Sequence, residues 1–131
     1  MQFQMNETDR ELLPPKKKGI GRLLAATGFS IAGLKSAWRH EEAFRLETIT
    51  FCVLAPVGAW LGASNIERVL LIGSLFMVLL MELINSAIEA IVDRAGVEFH
   101  ELAGRAKDTA SAAVFVSIVL VFFVWAMLLL A

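Results

Sequence analysis

The chain has 131 residues, 57% of them hydrophobic, with a mean hydropathy of +0.67 and a formal net charge of −1. The length suits one domain, and the apolar share exceeds the roughly 45–50% of soluble proteins, which argues against a water-soluble globule. The lone cysteine, Cys52, excludes an intrachain disulfide and argues against a Cys-based zinc site, and no nucleic-acid partner is expected.

Residues 1–19 are polar and irregular and end in Pro14-Pro15-Lys16-Lys17-Lys18-Gly19. The prolines oppose helix, and no apolar run follows the lysines closely enough for a signal peptide. A flexible, membrane-apposed tail is expected. Its lysines either touch anionic headgroups, at roughly 1 kcal/mol each, or stay solvated.

Residues 20–131 are expected to form a single integral-membrane domain. Its first part, about 20–46, predicts an amphipathic helix on the membrane surface. Ile20, Leu23, Leu24, Phe29, Leu34, Trp38 and Phe44 alternate there with Arg22, Lys35, Arg39, His40, Glu41, Glu42 and Arg45. Gly28 and Gly33 are expected to loosen it, and Glu41 with Arg45 offers an i, i+4 ion pair.

Three membrane spans follow, at about 48–64, 69–92 and 109–130. The first is short for about 30 Å of hydrocarbon and needs extra length from Glu47 or the turns before it. Pro56 is expected to kink it, and Trp60 suits an interfacial anchor. Ser64-Asn65 predicts a tight turn into the second span. The third span opens with Ala110-Ser111-Ala112-Ala113, small enough for close helix packing. The segment between the second and third spans, 94–108, is too charged for lipid. Eleven of the twelve Lys and Arg residues lie in the N-terminal segment or in this loop, and only Arg68 lies between the first and second spans. The positive-inside rule therefore puts the N-terminus in the cytoplasm, and three spans put the C-terminus outside.

The second span carries the chemistry. Glu82, Asn85, Glu89 and Asp93 lie at offsets 0, 3, 7 and 11, which at about 100° per residue fall on one stripe of a helix. Carboxylates in an apolar span face a protein interior, an ion or water, and four polar positions on one stripe exceed what packing needs. Glu41 and Glu89 are candidates to hold Mg²⁺, and Lys107 and Arg22 to meet phosphate oxygens. Glu82, about 10 Å deeper than Glu89 by helix rise, is the candidate general base on a lipid hydroxyl at headgroup level. Neither a Walker A motif nor a protein-kinase signature is present.

Gly33-Leu-Lys-Ser-Ala-Trp38, Glu41-Glu-Ala-Phe-Arg-Leu-Glu47, Glu82-Leu-Ile-Asn-Ser-Ala-Ile-Glu-Ala-Ile-Val-Asp-Arg94 and His100-Glu-Leu-Ala-Gly-Arg-Ala-Lys-Asp108 resemble the small prokaryotic diacylglycerol kinase family over about residues 20–130. The resemblance implies an all-α membrane protein with an N-terminal amphipathic surface helix and three transmembrane helices, assembled as a homotrimeric bundle with shared active sites. It implies ATP-dependent phosphorylation of diacylglycerol to phosphatidic acid, with Mg²⁺, at the cytoplasmic face of the bacterial inner membrane, and a periplasmic C-terminus. Glu82 resembles the general base, and Glu41 and Glu89 the Mg²⁺ ligands. Arg22, Glu98, His100, Lys107 and Asp108 resemble nucleotide contacts; Ser30, Trp38, Glu47, Arg68 and Ser111 resemble residues around the lipid. Asn85 and Asp93 support the carboxylates. Phe29 and Phe99 stand at the nucleotide where better-known members have aromatic hydroxyls, so those hydrogen bonds are absent, and Ile31 replaces a tryptophan.

Two alternatives compete. An undecaprenol kinase of the same family would run the same chemistry on a polyisoprenoid alcohol. A non-catalytic membrane protein, such as an ion-conducting oligomer, would use the same stripe but would not need the Lys and Arg residues at its mouth. Trp38, Arg68 and Ser111 also have plain structural readings, as an interfacial anchor, a helix end-cap and a packing residue.

Overall fold

The computed structural model describes residues 18–95 and 100–131. Among them are four α-helices and no strand: α1 Ile20–His40, α2 Glu42–Leu61, α3 Asn65–Arg94 and α4 Glu101–Leu129. The fold is all-α, as expected. Most of the expected tail, residues 1–17, lies outside the described residues. The chain divides after Lys35 into two units, 1–35 and 36–131.

In the first unit α1 starts beyond Gly19, whose φ of +62° is a left-handed conformation that only glycine adopts freely. The Gly19 carbonyl accepts from the amides of Arg22 and Leu23 at 3.1 and 3.3 Å. Thr27 and Ser30 return their hydroxyls to the carbonyls of Leu23 and Ala26, both at 3.0 Å, which removes two polar groups from an otherwise apolar surface. Ile20, Leu23, Leu24 and Phe29 are all exposed.

In the second unit α2, α3 and α4 are each long and apolar enough to cross a membrane. The middle helix, α3, packs against both of the others. Its buried residues, Leu71, Ser74, Leu75, Val78, Glu82 and Asn85, are three or four positions apart except for the adjacent Ser74 and Leu75, so one stripe faces inward along most of its length. A junction of all three helices forms where Gly58, Leu71 and Trp125 meet. Leu71 is fully buried, and a Cβ at position 58 would lie 3.2 Å from its Cβ and 3.4 Å from the Trp125 ring. Trp125 Nε1 donates to the Leu71 carbonyl at 3.2 Å. Phe51 and Phe76 add a tilted ring pair between α2 and α3, with centroids 4.5 Å apart.

The α2–α3 turn is held from both sides. Ser64 Oγ accepts from the Glu67 amide at 3.2 Å, and Glu67 Oε2 accepts from the Ala63 amide at 2.8 Å, a variant of the capping box. Arg68 donates from Nε to the Ala59 carbonyl at 3.0 Å and from Nη1 to Asn65 Oδ1 at 3.1 Å. Gly62 is required here, because a Cβ would sit 2.6 Å from Arg68 Cγ.

Helix boundaries depart from the hydropathy boundaries. The surface helix expected through residue 46 stops at His40, because Glu41 is extended, with φ −112° and ψ 107°. Residues 42–46 belong instead to α2, whose 20 residues span about 30 Å and so make good the short first span. Likewise α3 and α4 begin before positions 69 and 109. Apolar runs mark where lipid can lie, whereas helices continue for as long as backbone hydrogen bonds do. The expected Glu41–Arg45 ion pair does not form. Arg45 Nη1 donates instead to the carbonyls of Trp38 and Arg39, at 2.9 and 3.3 Å, which the break at Glu41 leaves without amide donors.

Candidate active site

The polar stripe of α3 turns into the protein at one end and out of it at the other. Glu82 and Asn85 are only 4% and 8% exposed, Glu89 is half-buried, and Asp93 is exposed. An α-helix puts these four on one face by its period, and packing against α2 and α4 decides how deep each lies. From α2 and the residue before it, Glu47 and Glu41 come within electrostatic reach of Glu82, as does Glu89. The result is a group of four carboxylates with Asn85 among them. Asn85 Nδ2 donates to Glu89 Oε1 at 3.5 Å, a long bond.

The group is under-satisfied. Glu47 Oε2, Asn85 Oδ1 and Ser86 Oγ are enclosed without a hydrogen-bond partner. Leaving such an atom unpaired costs about 1–3 kcal/mol, so the arrangement favours an incoming polar group. Ser86 was not legible as a member. A helical hydroxyl ordinarily returns to its own backbone, and nothing in the spacing marks this one as different.

Beside Glu47 the surface between the helices becomes an apolar groove, open on one side. The groove, about 260 Å³ in volume, is lined by Glu47, Thr50, Phe51 and Leu54 of α2, Leu75 and Val78 of α3, and Ile118, Val121 and Phe122 of α4. The carboxylate group thus adjoins, through the half-buried Glu47, a space of hydrocarbon character.

At the other end of the stripe, Lys107 Nζ reaches Asp93 Oδ1 at 2.9 Å and ties the start of α4 to the end of α3. Asp108 is exposed next to it. His100 is the N-cap of α4, and its Nδ1 accepts from the Leu102 amide at 3.2 Å. Glu98 and Phe99 lie outside the described residues. Arg22, Phe29 and Ser30 lie on the part of α1 that belongs to the first unit, all exposed. Trp38 is exposed and Ser111 lies on the exposed face of α4. Arg68 stands apart, about 21 Å from Glu82 by helix rise, with its guanidinium engaged at the α2–α3 turn. The structure therefore gathers Glu41, Glu47, Glu82, Asn85 and Glu89, joins Asp93 to Lys107, and keeps Arg68 away from both.

The sequence belongs with a known group of proteins. A family model described as prokaryotic diacylglycerol kinase matches residues 28–129. The diacylglycerol kinase of Escherichia coli (strain K12) is 47% identical over 111 residues, which cover 85% of this chain and 91% of that one. That of Haemophilus influenzae (strain ATCC 51907) is 47% identical over 110 residues, 84% of this chain and 93% of that one. That of Pseudomonas aeruginosa (strain ATCC 15692) is 46% identical over 112 residues, 86% and 91% of the two chains. With its three apolar helices and this likeness over most of its length, the chain is an integral membrane enzyme that belongs to the prokaryotic diacylglycerol kinase family.

Proposed function

We propose that the protein transfers the γ-phosphoryl group of ATP to the free hydroxyl of diacylglycerol, giving phosphatidic acid and ADP. One observation carries this reading: the buried carboxylate Glu82 stands among Glu41, Glu47 and Glu89, and Glu47 lines an apolar groove between the helices. A lipid alcohol needs that junction, with its tails in hydrocarbon and its hydroxyl beside a base.

Glu82 takes the proton of the lipid hydroxyl as its oxygen bonds to the γ-phosphorus and the bond to the β,γ-bridging oxygen breaks. Depth separates the roles, since Glu82 is buried and Glu89 lies about 10 Å along the helix toward the charged end. Glu41 and Glu89 fit a hard divalent cation. Both carboxylates lie near Glu82, and among the described residues neither is in an ion pair. Mg²⁺ ordinarily takes one or two carboxylates together with substrate phosphates, so these two suffice; when bound, it offsets phosphate charge. Lys107 supplies a cation for phosphate oxygens beside Asp93 and Asp108. The nucleotide contacts assigned to Arg22, Phe29, Glu98, Phe99, His100 and Asp108 rest on the motif match. So do the lipid contacts assigned to Ser30, Trp38, Glu47, Arg68 and Ser111. Residues 20–131 act as one kinase domain in the bacterial inner membrane, with the N-terminus cytoplasmic and the C-terminus periplasmic. The protein works as a homotrimer with shared sites, in keeping with Phe76, Leu80, Ile84 and Ile91, which α3 leaves exposed in the single chain.

The test is label transfer from [γ-³²P]ATP by purified protein in mixed micelles, with diacylglycerol and undecaprenol in parallel. Labelled phosphatidic acid is the expected product. Label on undecaprenol alone would reassign the substrate, and no label on either would remove the kinase reading.

A further inference from the structure

At the α1–α2 junction a single residue, Glu41, leaves helical geometry. The backbone closes around it: the Glu41 amide donates to the Ala37 carbonyl at 2.9 Å, and the Arg45 amide donates to the Glu41 carbonyl at 3.2 Å. In a continuous helix the carbonyls of Trp38 and Arg39 would each receive an amide from one turn further on. The break withdraws both donors. Arg45 Nη1 replaces them, at 2.9 and 3.3 Å. Charge-assisted donation of this kind is stronger than a neutral hydrogen bond, and a guanidinium is rigid enough to span two acceptors.

The contact has a second effect. Spacing offers Arg45 an ion pair with Glu41, yet among the described residues that pair is absent. Committed to the two carbonyls, Arg45 leaves the Glu41 carboxylate unpaired. Half-buried, that carboxylate lies within electrostatic reach of Glu82. Neither glycine nor proline stands at positions 39–43 to cause the break, and the Arg45 guanidinium is the side chain that bridges it.

We infer that Arg45 is a positioning residue: by capping the Trp38 and Arg39 carbonyls it sets the helix break that presents an unpaired Glu41 to the carboxylate group of α3. The inference rests on the proposed role of Glu41 as a ligand of Mg²⁺. It separates Arg45 from an ordinary surface arginine, which would affect neither metal nor nucleotide, and from a lipid contact, which would change the Michaelis constant for diacylglycerol.

The experiment measures Mn²⁺–ATP binding by electron paramagnetic resonance, together with the Mg²⁺ and diacylglycerol dependence of turnover. The variants are Arg45→Met, Arg45→Lys, Glu41→Gln and the double variant Arg45→Met/Glu41→Gln. Arg45→Met is expected to weaken Mn²⁺–ATP binding and raise the half-saturating Mg²⁺ by about 10–100-fold, with the diacylglycerol KM within about twofold of the parent. Arg45→Lys, which keeps the charge but not the fork, falls between, and adding Arg45→Met to Glu41→Gln weakens binding no further. If Arg45→Met fails to assemble, Arg45→Lys alone decides, and parental metal binding by it overturns the inference. Parental binding by Arg45→Met with weakened binding by Glu41→Gln overturns the role of Arg45 and leaves the metal reading standing. Parental binding by Glu41→Gln removes the metal reading itself and the inference with it.

Discussion

In the N-terminal half of α3 the buried residues are Leu71, Leu75, Val78 and one hydroxyl, Ser74, which returns to the Leu71 carbonyl at 2.8 Å. In the C-terminal half they are Glu82 and Asn85, while Asn85 Oδ1 and the neighbouring Ser86 Oγ have no partner. The first half meets Gly58 and Trp125 at the distance of van der Waals contact, and the Trp125 indole is hydrogen-bonded. The second half meets two further carboxyl groups, those of Glu41 and Glu47. One helix thus buries a single stripe that is closed and satisfied at one end and acidic and unsatisfied at the other. Under the proposed function, stability is concentrated in the first and chemistry in the second. Buried acid groups destabilise a fold unless a ligand compensates them, so the apolar half must hold the bundle against the polar one.

This division can be broken by substitutions that affect the wrong property. The largest loss is expected at Glu41 and Glu89: changing either to Gln should abolish turnover and weaken nucleotide binding while assembly is kept, and near-normal activity at ordinary Mg²⁺ would refute their role. Glu82→Gln comes next. It should lower turnover by about 10²–10⁴-fold with MgATP affinity little changed. Resistance to unfolding by sodium dodecyl sulfate in mixed micelles should be unchanged or raised, because a buried ionisable group is gone. Turnover within about tenfold of the parent would make Glu82 a packing residue rather than a base.

The apolar half should respond the other way. Gly58→Ala pushes a methyl against Leu71 and Trp125; overpacking of about 1–3 kcal/mol less about 1 kcal/mol of regained helix propensity leaves an expected loss of up to about 2 kcal/mol in the same unfolding assay. Trp125→Phe removes the indole donor from the Leu71 carbonyl, with a cost of about 0.5–1.5 kcal/mol before any cavity is counted. In both variants turnover per folded enzyme should stay near that of the parent, and a hundredfold loss, on the order seen for catalytic groups, would erase the division. The smallest stability effect is expected at the exposed end of the stripe. Asp93→Asn removes a 2.9 Å ion pair whose partners are both exposed, and no change in unfolding should be resolved.

Much of this arrangement is readable from residue order. The period of Glu82, Asn85, Glu89 and Asp93 places them on one face without reference to any neighbour, and the cost of a charge in hydrocarbon predicts that the face turns inward. Glu82 and Asn85 do so, and Asp93, at the helix end, does not. Ser64 and Glu67 carry a helix-start pattern that local hydrogen bonding fulfils. Arg68 has a partner set that the motif does not indicate: its guanidinium donates to the Ala59 carbonyl and to Asn65 at the turn. His100 caps a helix, an uncommon use of histidine that spacing does not signal.

The sequence by itself determined the class of the protein, the number of spanning helices, the polar stripe and the family, because hydropathy and helical period are local properties and the motif residues are contiguous. Only the tertiary structure decided where α1 ends, which partner Arg45 takes, how near Glu47 lies to Glu82, and that Trp125 donates to Leu71 across 54 positions of sequence. Each of these depends on two segments meeting at ångström range. The free energy of such a meeting comes from buried surface and satisfied donors on both partners, and neither segment carries that information alone.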